Sequence, residues 1–401
     1  MAASPRPLFC ATPFLQHQAP EPNTAVTRSS TAVPAFKPPQ RLLLGPGPSD
    51  VHAEVLAAMA QSTIGHLDPE FVGLMDSIKA LLREVMCSNY PLTFPVSGPG
   101  SVGMEAAFVN LVEPGDKLIV CINGVFGTRM RTVAERCGAT VVTVENAWGE
   151  AVDVAAVEAA LAANADAKVL AFVHAETSTG ALSDAQALAA AAQKHGVLTI
   201  ADCVTSLAGV PLMISDWGLD AVYSGSQKCL SCPPGLSPVS FSERAVERLN
   251  QRKTPVQSWF ADLGQVMSYW SGDGKRAYHH TAPVNALYGL HEALRRVVNE
   301  GLEAAWARHS ENHQRLVSGL AELGLEMLVA PEARLPQLNA VKIPEGADDA
   351  AIRSALLHKH GIEIGAGLGP LAGKVWRIGL MGESSRPEKV DRVLAALKAE
   401  L

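Results

Sequence analysis

Between residues 67 and 245 short apolar runs alternate with stretches of helical periodicity, and this alternation restricts the fold more than any other feature of the chain. The runs are Lys117–Ile122, Thr140–Val144, Val169–Val173, Val197–Ala201, Ala221–Tyr223 and Pro238–Phe241. Phe71–Met86 has a helical period and precedes a turn at Asn89-Tyr90-Pro91. Alanine-rich helical stretches, Val154–Ala163 and Ala185–Lys194, lie between strands. A strand followed by a helix returns parallel to its predecessor, because the helix carries the chain back over one face of the sheet. The pattern therefore predicts an α/β fold with a mostly parallel sheet covered on both faces. Ligands of such sheets sit outside the carboxyl ends of the strands, so chemistry is sought there.

The segments that follow have a different rhythm. Residues from about 285 to 320 read as long helices bridging two domains, with Leu290–Ala305 strongly periodic. From Leu325 onward, strands at Met327–Val329, Leu338–Ile343 and Val375–Ile378 alternate with helices near 349–358 and 387–399, a small α+β domain. At 401 residues the chain exceeds what a single core supports, and its 48% hydrophobic content suffices for a large buried interior. The organisation expected is a leader over 1–41, an N-terminal arm over 42–66, a large domain over 67–300 and a small C-terminal domain over 301–401.

Charge and composition remove some classes of function. A formal charge of -7 and a pI near 6.0 argue against a general nucleic-acid binder. No apolar run is long enough to span a membrane. The cysteines number seven and are scattered, which suits a reducing compartment and not a disulfide framework. Cys229-x-x-Cys232 has no second pair to complete a metal site and reads as two small buried residues.

Residues 1–41 stand apart. They hold six prolines before Pro38-Pro39, and four basic residues (Arg6, Arg28, Lys37, Arg41) against Glu21 alone. A basic, Ser-rich, acid-poor start of this kind has the character of an organelle transit peptide. A mitochondrial address is the first expectation and a chloroplast or peroxisome the alternatives; the C-terminal Lys398-Ala399-Glu400-Leu401 lacks the Ser-Lys-Leu peroxisomal signal.

Several strand ends carry candidate chemistry. Ser224-Gly225-Ser226-Gln227-Lys228 follows the run Ala221–Tyr223 and is backed by Pro233-Pro234-Gly235. An amine held in apolar surroundings has its charged form disfavoured, and becomes a nucleophile able to form a Schiff base. Asp202 ends the run Val197–Ala201, one helix-plus-strand unit earlier, so both groups fall on one sheet edge. An acid facing a lysine across a cleft is what a pyridoxal ring needs: the lysine makes the imine and the carboxylate keeps the ring nitrogen protonated. Ser97-Gly98-Pro99-Gly100-Ser101-Val102-Gly103 opens a helix, Met104 to Leu111, whose amino end would attract an anion. His174 to Gly180 follows another strand with a histidine and several hydroxyls that could serve a ring's polar substituents or simply be solvated. Gly45-Pro46-Gly47-Pro48-Ser49 fixes an irregular backbone able to approach a ligand closely, with Ser49 a possible cap for a helix over Val51–Ala60.

In combination, Leu43-Leu44-Gly45-Pro46-Gly47-Pro48, Tyr223-Ser224-Gly225-Ser226-Gln227-Lys228, Tyr278-His279-His280-Thr281 and Gly373-Lys374-Val375-Trp376-Arg377-Ile378-Gly379 resemble the class V pyridoxal-phosphate aminotransferases of fold type I. The likeness runs from Leu42 to the C-terminus. It implies an aspartate-aminotransferase-like large domain, with a mostly parallel seven-stranded sheet, and a smaller α+β domain. It implies pyridoxal 5'-phosphate as cofactor, with Lys228 as the Schiff-base lysine and Asp202 on the pyridine nitrogen. Val204 and Phe126 would flank the ring, Phe126 standing where the family often has tryptophan. Thr177 would bond the ring's phenolic oxygen, and Gly100, Ser101 and Gln227 would hold the phosphate. Pro99 departs from the family, whose serine there supplies a hydroxyl and an N–H.

The same resemblance implies that Tyr278 and Thr281 reach the phosphate of a neighbouring subunit, hence a homodimer with shared sites and no metal at the adjacent histidines, which on a strand would point to opposite faces. It implies that Arg377 clamps the substrate carboxylate, in a small pocket walled near Gly45 and Gly47. Within the family the motifs look most like the branch that moves an amino group from alanine or serine to glyoxylate. Serine–glyoxylate or kynurenine-type specificity, and a catalytically inactive relative, are the alternatives. Small amino acids and 2-oxo acids are the expected substrates.

Overall fold

The computed structural model describes residues 33–270 and 276–401. Most of the leader, over 1–32, lies outside them. The chain divides into the units Met1–Pro39 and Gln40–Leu401. Within the second, the alternating region forms one seven-stranded sheet. Its strands are β1 (Leu92–Ser97), β2 (Lys117–Ile122), β3 (Thr140–Glu145), β4 (Ala167–Val173), β5 (Leu198–Asp202), β6 (Ala221–Tyr223) and β7 (Leu236–Phe241). They lie side by side in the order β1-β7-β6-β5-β4-β2-β3, parallel except for β7, which runs antiparallel to both of its neighbours. Strands buried on both faces read as near-continuous apolar runs, and β2 and β6 do so with the bounds their sequences suggest.

β1 does not read as an apolar run in the sequence, because Leu92-Thr93-Phe94-Pro95-Val96-Ser97 contains a proline. The topology explains the tolerance. β1 is an edge strand, and Pro95 lies opposite Pro238 of β7. The Pro238 carbonyl accepts from Ser224 N at 2.8 Å on the β6 side, so neither ring nitrogen faces the ladder between the two strands.

The helices differ from their sequence reading mainly at their ends. Val154–Ala163 and Ala185–Lys194 have the expected bounds and are capped by Asp153 and Asp184. The helix expected from Met104 begins earlier, at Gly100, and runs to Leu111. Leu290–Ala305 is not one helix: Gly301, at φ +86°, separates Val284–Glu300 from Leu302–Glu322. Leu and Ala on both sides keep the helical period through a break that only the left-handed glycine reveals.

Downstream, β8 (Leu338–Lys342), β9 (Gly365–Ala366) and β10 (Val375–Gly379) form an antiparallel sheet in the order β8-β10-β9, with helices Asp349–Lys359 and Pro387–Glu400. Met327–Val329 is not a strand; Met327 makes a single bridge to Val341. Buried apolar side chains gather in two main groups. One surrounds the seven-stranded sheet with Phe94, Phe108, Phe172, Tyr223 and Phe241. The other joins Leu42 and Leu44 to Leu316, Leu356, Trp376 and Leu397, so the start of the arm packs with the C-terminal elements, where Leu42–Leu43 pairs parallel with Ile362–Glu363. No helix among the described residues is long and apolar enough to cross a membrane.

Candidate active site

The carboxyl ends of β1, β2, β4, β5 and β6 open onto one edge of the sheet, and each contributes a loop there. In the strand register Val173 lies beside Asp202, and Asp202 beside Tyr223, a row that ends three neighbouring strands at one level. Asp202 is buried, with its Oδ1 accepting from Val204 N at 2.9 Å and its Oδ2 from the Tyr223 hydroxyl at 2.7 Å. Burial pushes this carboxyl up to about 6, although both donors and the nearby charges of Lys228 and Arg129 pull the other way. Tyr223 is itself buried, and desolvation together with Asp202 keeps its hydroxyl protonated and donating.

Lys228 follows β6 and is 9% exposed. Burial lowers its amine to about 8, with Arg377 adding to the effect and Cys229 and Asp202 opposing it. The Nζ donates to the Pro46 carbonyl. Gly47, at φ +104°, lies so close that a Cβ there would stand 2.5 Å from Nζ, so this position requires glycine both for conformation and for space. The Gly45 assigned from the sequence sits farther back, near Glu363 and Gly365; Pro46 and Gly47 are the residues that touch the lysine. Ser49 does not cap the next helix. That helix is Ala53–Met59 and His52 caps it. Ser49 instead donates from Oγ to the Lys228 carbonyl at 2.7 Å and from its N–H to the Gln227 carbonyl at 3.0 Å.

Gln227 has its side-chain Oε1 buried without a partner. Rotating that amide by half a turn places an N–H at the same point, a donor for an anion. Gly100 and Ser101 begin their helix with no side-chain cap, Pro99 occupying the capping position. Gly100 packs against Val204, where a Cβ would stand 3.1 Å from Val204 Cγ2.

The loop after β4 is buried and not solvated, since His174, Glu176, Thr177, Ser178 and Thr179 are all nearly inaccessible. Thr177 Oγ1 lies 2.7 Å from Thr205 Oγ1. His174 offers nothing to a ring substituent: it packs edge-on against Trp217, and burial lowers it to about 4, so it is neutral. Glu176, which lies in the same segment and has no role in the sequence reading, carries more of the architecture. Its Oε2 accepts from Phe126 N at 3.1 Å and its Oε1 from Ser178 Oγ at 2.6 Å. A carboxylate at the amino end of the helix Val125–Arg136 fixes where Phe126 stands, and burial pushes that carboxyl up despite these donors.

Arg377 lies on β10 and is 6% exposed. Its Nε donates to the Ala366 carbonyl at 2.7 Å and its Nη1 to the Thr177 carbonyl at 3.2 Å. Among the described residues no carboxylate pairs with it, and burial lowers it to about 10. A guanidinium held by neutral carbonyls alone is a seat for an anionic guest.

Tyr278 and Thr281 stand apart from this group. Tyr278 is 63% exposed and packs on His66 at 5.5 Å between ring centroids; Thr281 is exposed. His279 and His280 are not on a strand and do not point to opposite faces: their Nδ1 atoms lie 2.8 Å apart, and His279 stacks on Trp259 at 4.5 Å. Cys229 and Cys232 are buried, and desolvation raises both thiols to about 12, so they serve as packing behind the lysine loop.

The sequence missed Glu176, Thr205 and the roles of Tyr223, Pro46 and Ser49. The strand-end tyrosine carried a signal, but its register opposite Asp202 is a long-range fact.

Residues 44–384 match the family model described as aminotransferase class-V. The alanine–glyoxylate aminotransferase of Rattus norvegicus is 42% identical over 365 residues, covering 90% of this chain and 88% of that protein. The (S)-ureidoglycine–glyoxylate transaminase of Bacillus subtilis is 35% identical, covering 90% and 91%. Among solved structures, the alanine–glyoxylate aminotransferase of a Nostoc species superimposes with a TM-score of 0.90 at 47% identity, covering 92% of this chain and 97% of its own. The buried amine beside an unpaired amide, the carboxylate one strand away and the uncapped helix fit the cofactor such enzymes carry, and the chain belongs to the class V aminotransferases, pyridoxal-phosphate-dependent enzymes of fold type I.

Proposed function

We propose that this enzyme moves the amino group of alanine, or of serine, onto glyoxylate, with pyruvate and glycine as the products of the alanine reaction. The observation that carries the reading is Arg377, a buried guanidinium whose hydrogen-bond partners among the described residues are backbone carbonyls, which suits a substrate with a single α-carboxylate. Glyoxylate is named as a substrate in the rat, Bacillus and Nostoc relatives alike, whereas the donor differs between alanine and ureidoglycine.

When bound, pyridoxal phosphate supplies an electron sink for the bond broken at the substrate Cα. The roles of this chain's residues follow. Lys228, whose burial gives it far more free amine at physiological pH than an ordinary lysine has, would hold the cofactor and then carry the proton from the substrate Cα to the cofactor C4′. Asp202, oriented by Tyr223 and Val204 N, would keep a proton on the pyridine nitrogen. Phe126 and Val204 would flank the ring, and Thr177, with Thr205 behind it, would face the ring oxygen. Gly100, Ser101 and Gln227 would hold the phosphate. Burial of Lys228, Asp202 and Arg377 keeps water from competing for each of these contacts.

The assembly in this reading is a homodimer. Tyr278 and Thr281 are exposed on the subunit and would reach a neighbouring subunit's phosphate. Residues 1–41 would direct the protein to a mitochondrion, which a fluorescent fusion of that segment tests.

The experiment for the reaction presents purified enzyme with alanine, serine, kynurenine and ureidoglycine in turn, with glyoxylate as acceptor, and follows the visible absorbance of the cofactor together with glycine formation. Alanine or serine should give the fastest turnover. Exclusive use of ureidoglycine would overturn the donor assignment, and a Lys228→Ala variant with wild-type rate would overturn the mechanism.

A further inference from the structure

A phosphate brought to the helix Gly100–Leu111 meets an amino end poor in donors. Pro99 in the capping position has no N–H, no side chain caps the end, and Val102 N is engaged by the Pro99 carbonyl at 2.7 Å. Two backbone N–H groups and the Ser101 hydroxyl are left in the first turn, and none of them carries a charge.

The charge comes from another element. Arg129, on the helix Val125–Arg136, donates from Nη1 to Ser101 Oγ at 3.4 Å, and its guanidinium lies 4.9 Å from the centroid of the Phe126 ring. Phe126 and Arg129 are three residues apart and so share a helix face. That helix is fixed at its start by Glu176, so the position of Arg129 is set by a buried contact although its own tip is exposed. Among the described residues Arg129 pairs with no carboxylate, in contrast to Arg131 on the same helix, which faces Glu135 at 3.8 Å. Its field also reaches Asp202, so the side chain stands within electrostatic range of the carboxylate assigned to the ring nitrogen as well as touching the phosphate loop.

We infer that Arg129 is a phosphate ligand of the cofactor, turning from the Ser101 hydroxyl onto the phosphate dianion and supplying the positive charge that the proline-capped helix end lacks. The inference rests on the pyridoxal-phosphate seat described above. The competing role is local: an arginine over a phenylalanine is held by the ring's quadrupole and would then act through the position of Phe126.

A phosphate-free cofactor separates the two. Apo full-chain enzyme is titrated with pyridoxal phosphate and with pyridoxal, capture at Lys228 being read from visible absorbance. Inorganic phosphate is added as a competitor in a parallel series. Arg129→Gln should weaken pyridoxal phosphate about tenfold or more, and competition by inorganic phosphate to a similar extent, while changing pyridoxal by less than about twofold. Arg129→Lys should fall between, keeping charge but losing the fork. Adding Pro99→Ser to Arg129→Gln should recover part of the loss, and the apo melting temperature should not move. Equal weakening of both cofactors, or of neither, overturns the inference. Failure of wild-type enzyme to capture pyridoxal phosphate at Lys228 would instead overturn the seat itself.

Discussion

Ser49 and Lys228, 179 residues apart in the chain, are joined by a hydrogen bond of 2.7 Å from the serine hydroxyl to the lysine carbonyl. Ser49 Oγ also lies 3.1 Å from Ser231 Oγ, and Ser231 Oγ accepts from Glu383 N at 2.7 Å. The arm, the lysine loop and the C-terminal region therefore meet on one pair of hydroxyls. The lysine's amine and its backbone are both held by the segment Pro46–Ser49.

The first prediction concerns that segment. Gly47→Ala forces a Cβ onto Lys228 Nζ at a positive φ, so the amine must be displaced. Cofactor capture should slow by at least about a hundredfold while the fold survives, the strain being of the order of 1–3 kcal/mol. Ser49→Ala should cost about 1–2 kcal/mol in stability and leave capture within roughly tenfold. Stopped-flow absorbance and thermal melts measure the two effects, and a Gly47→Ala enzyme that captures cofactor at wild-type rate would refute the steric argument.

A second prediction follows from the depressed lysine. An amine lowered from 10.5 to about 8 is mostly protonated below pH 8 and mostly free above it. The second-order rate constant for cofactor capture by apo enzyme should rise with pH and level off above about 8. Below that it should fall about tenfold per unit. A plateau reached only near pH 10 would mean that Lys228 is not desolvated in the apo protein.

Asp202 gives a stability prediction of definite sign. Its folded value, about 6, lies above its ordinary value of 3.8, so the native state binds the proton more tightly than the unfolded chain. Between those values stability falls as pH rises, and the burial penalty is fully present above pH 6 and absent below pH 4. Asp202→Asn should therefore stabilise the cofactor-free enzyme at pH 7 by about 1–2 kcal/mol, part of the gain being lost because the oxygen that accepts from the Tyr223 hydroxyl becomes an amide donor, and should not do so at pH 4. The loaded enzyme should lose turnover by about a hundredfold or more for want of a charge on the ring nitrogen's partner. Denaturant melts of the apo form at the two pH values check the sign.

Arg377→Lys keeps the charge but not the two-pronged geometry. The catalytic efficiency, kcat/KM, for the amino donor should fall by about a hundredfold, chiefly through KM, with cofactor capture unchanged. A loss confined to cofactor binding would place Arg377 elsewhere in the mechanism.

Much of the sheet could be read locally. Lys117–Ile122 and Ala221–Tyr223 are buried on both faces, so each is apolar at nearly every position, and a run of that kind declares itself without knowledge of its neighbours. β1 could not be read so, because its proline is admissible only at an edge, and being an edge is a property of the assembled sheet. Gly301 posed the same difficulty between two helices whose apolar period continues across it.

The site divides along the same line. Sequence alone determined that Lys228 and Asp202 would fall on one sheet edge, since Asp202 ends one strand, Lys228 follows the end of the next, and one helix-plus-strand unit lies between them. Tertiary structure decided what surrounds them. Tyr223 serves Asp202 because β5 and β6 align at that level, Glu176 fixes Phe126 across 50 residues, and Pro46, Gly47 and Ser49 close on the lysine from the far end of the chain. Chemistry at a strand end is set by local sequence and the alternation of elements. The contacts that shift its acidity and fix its geometry depend on register and on long-range packing, which no short segment encodes.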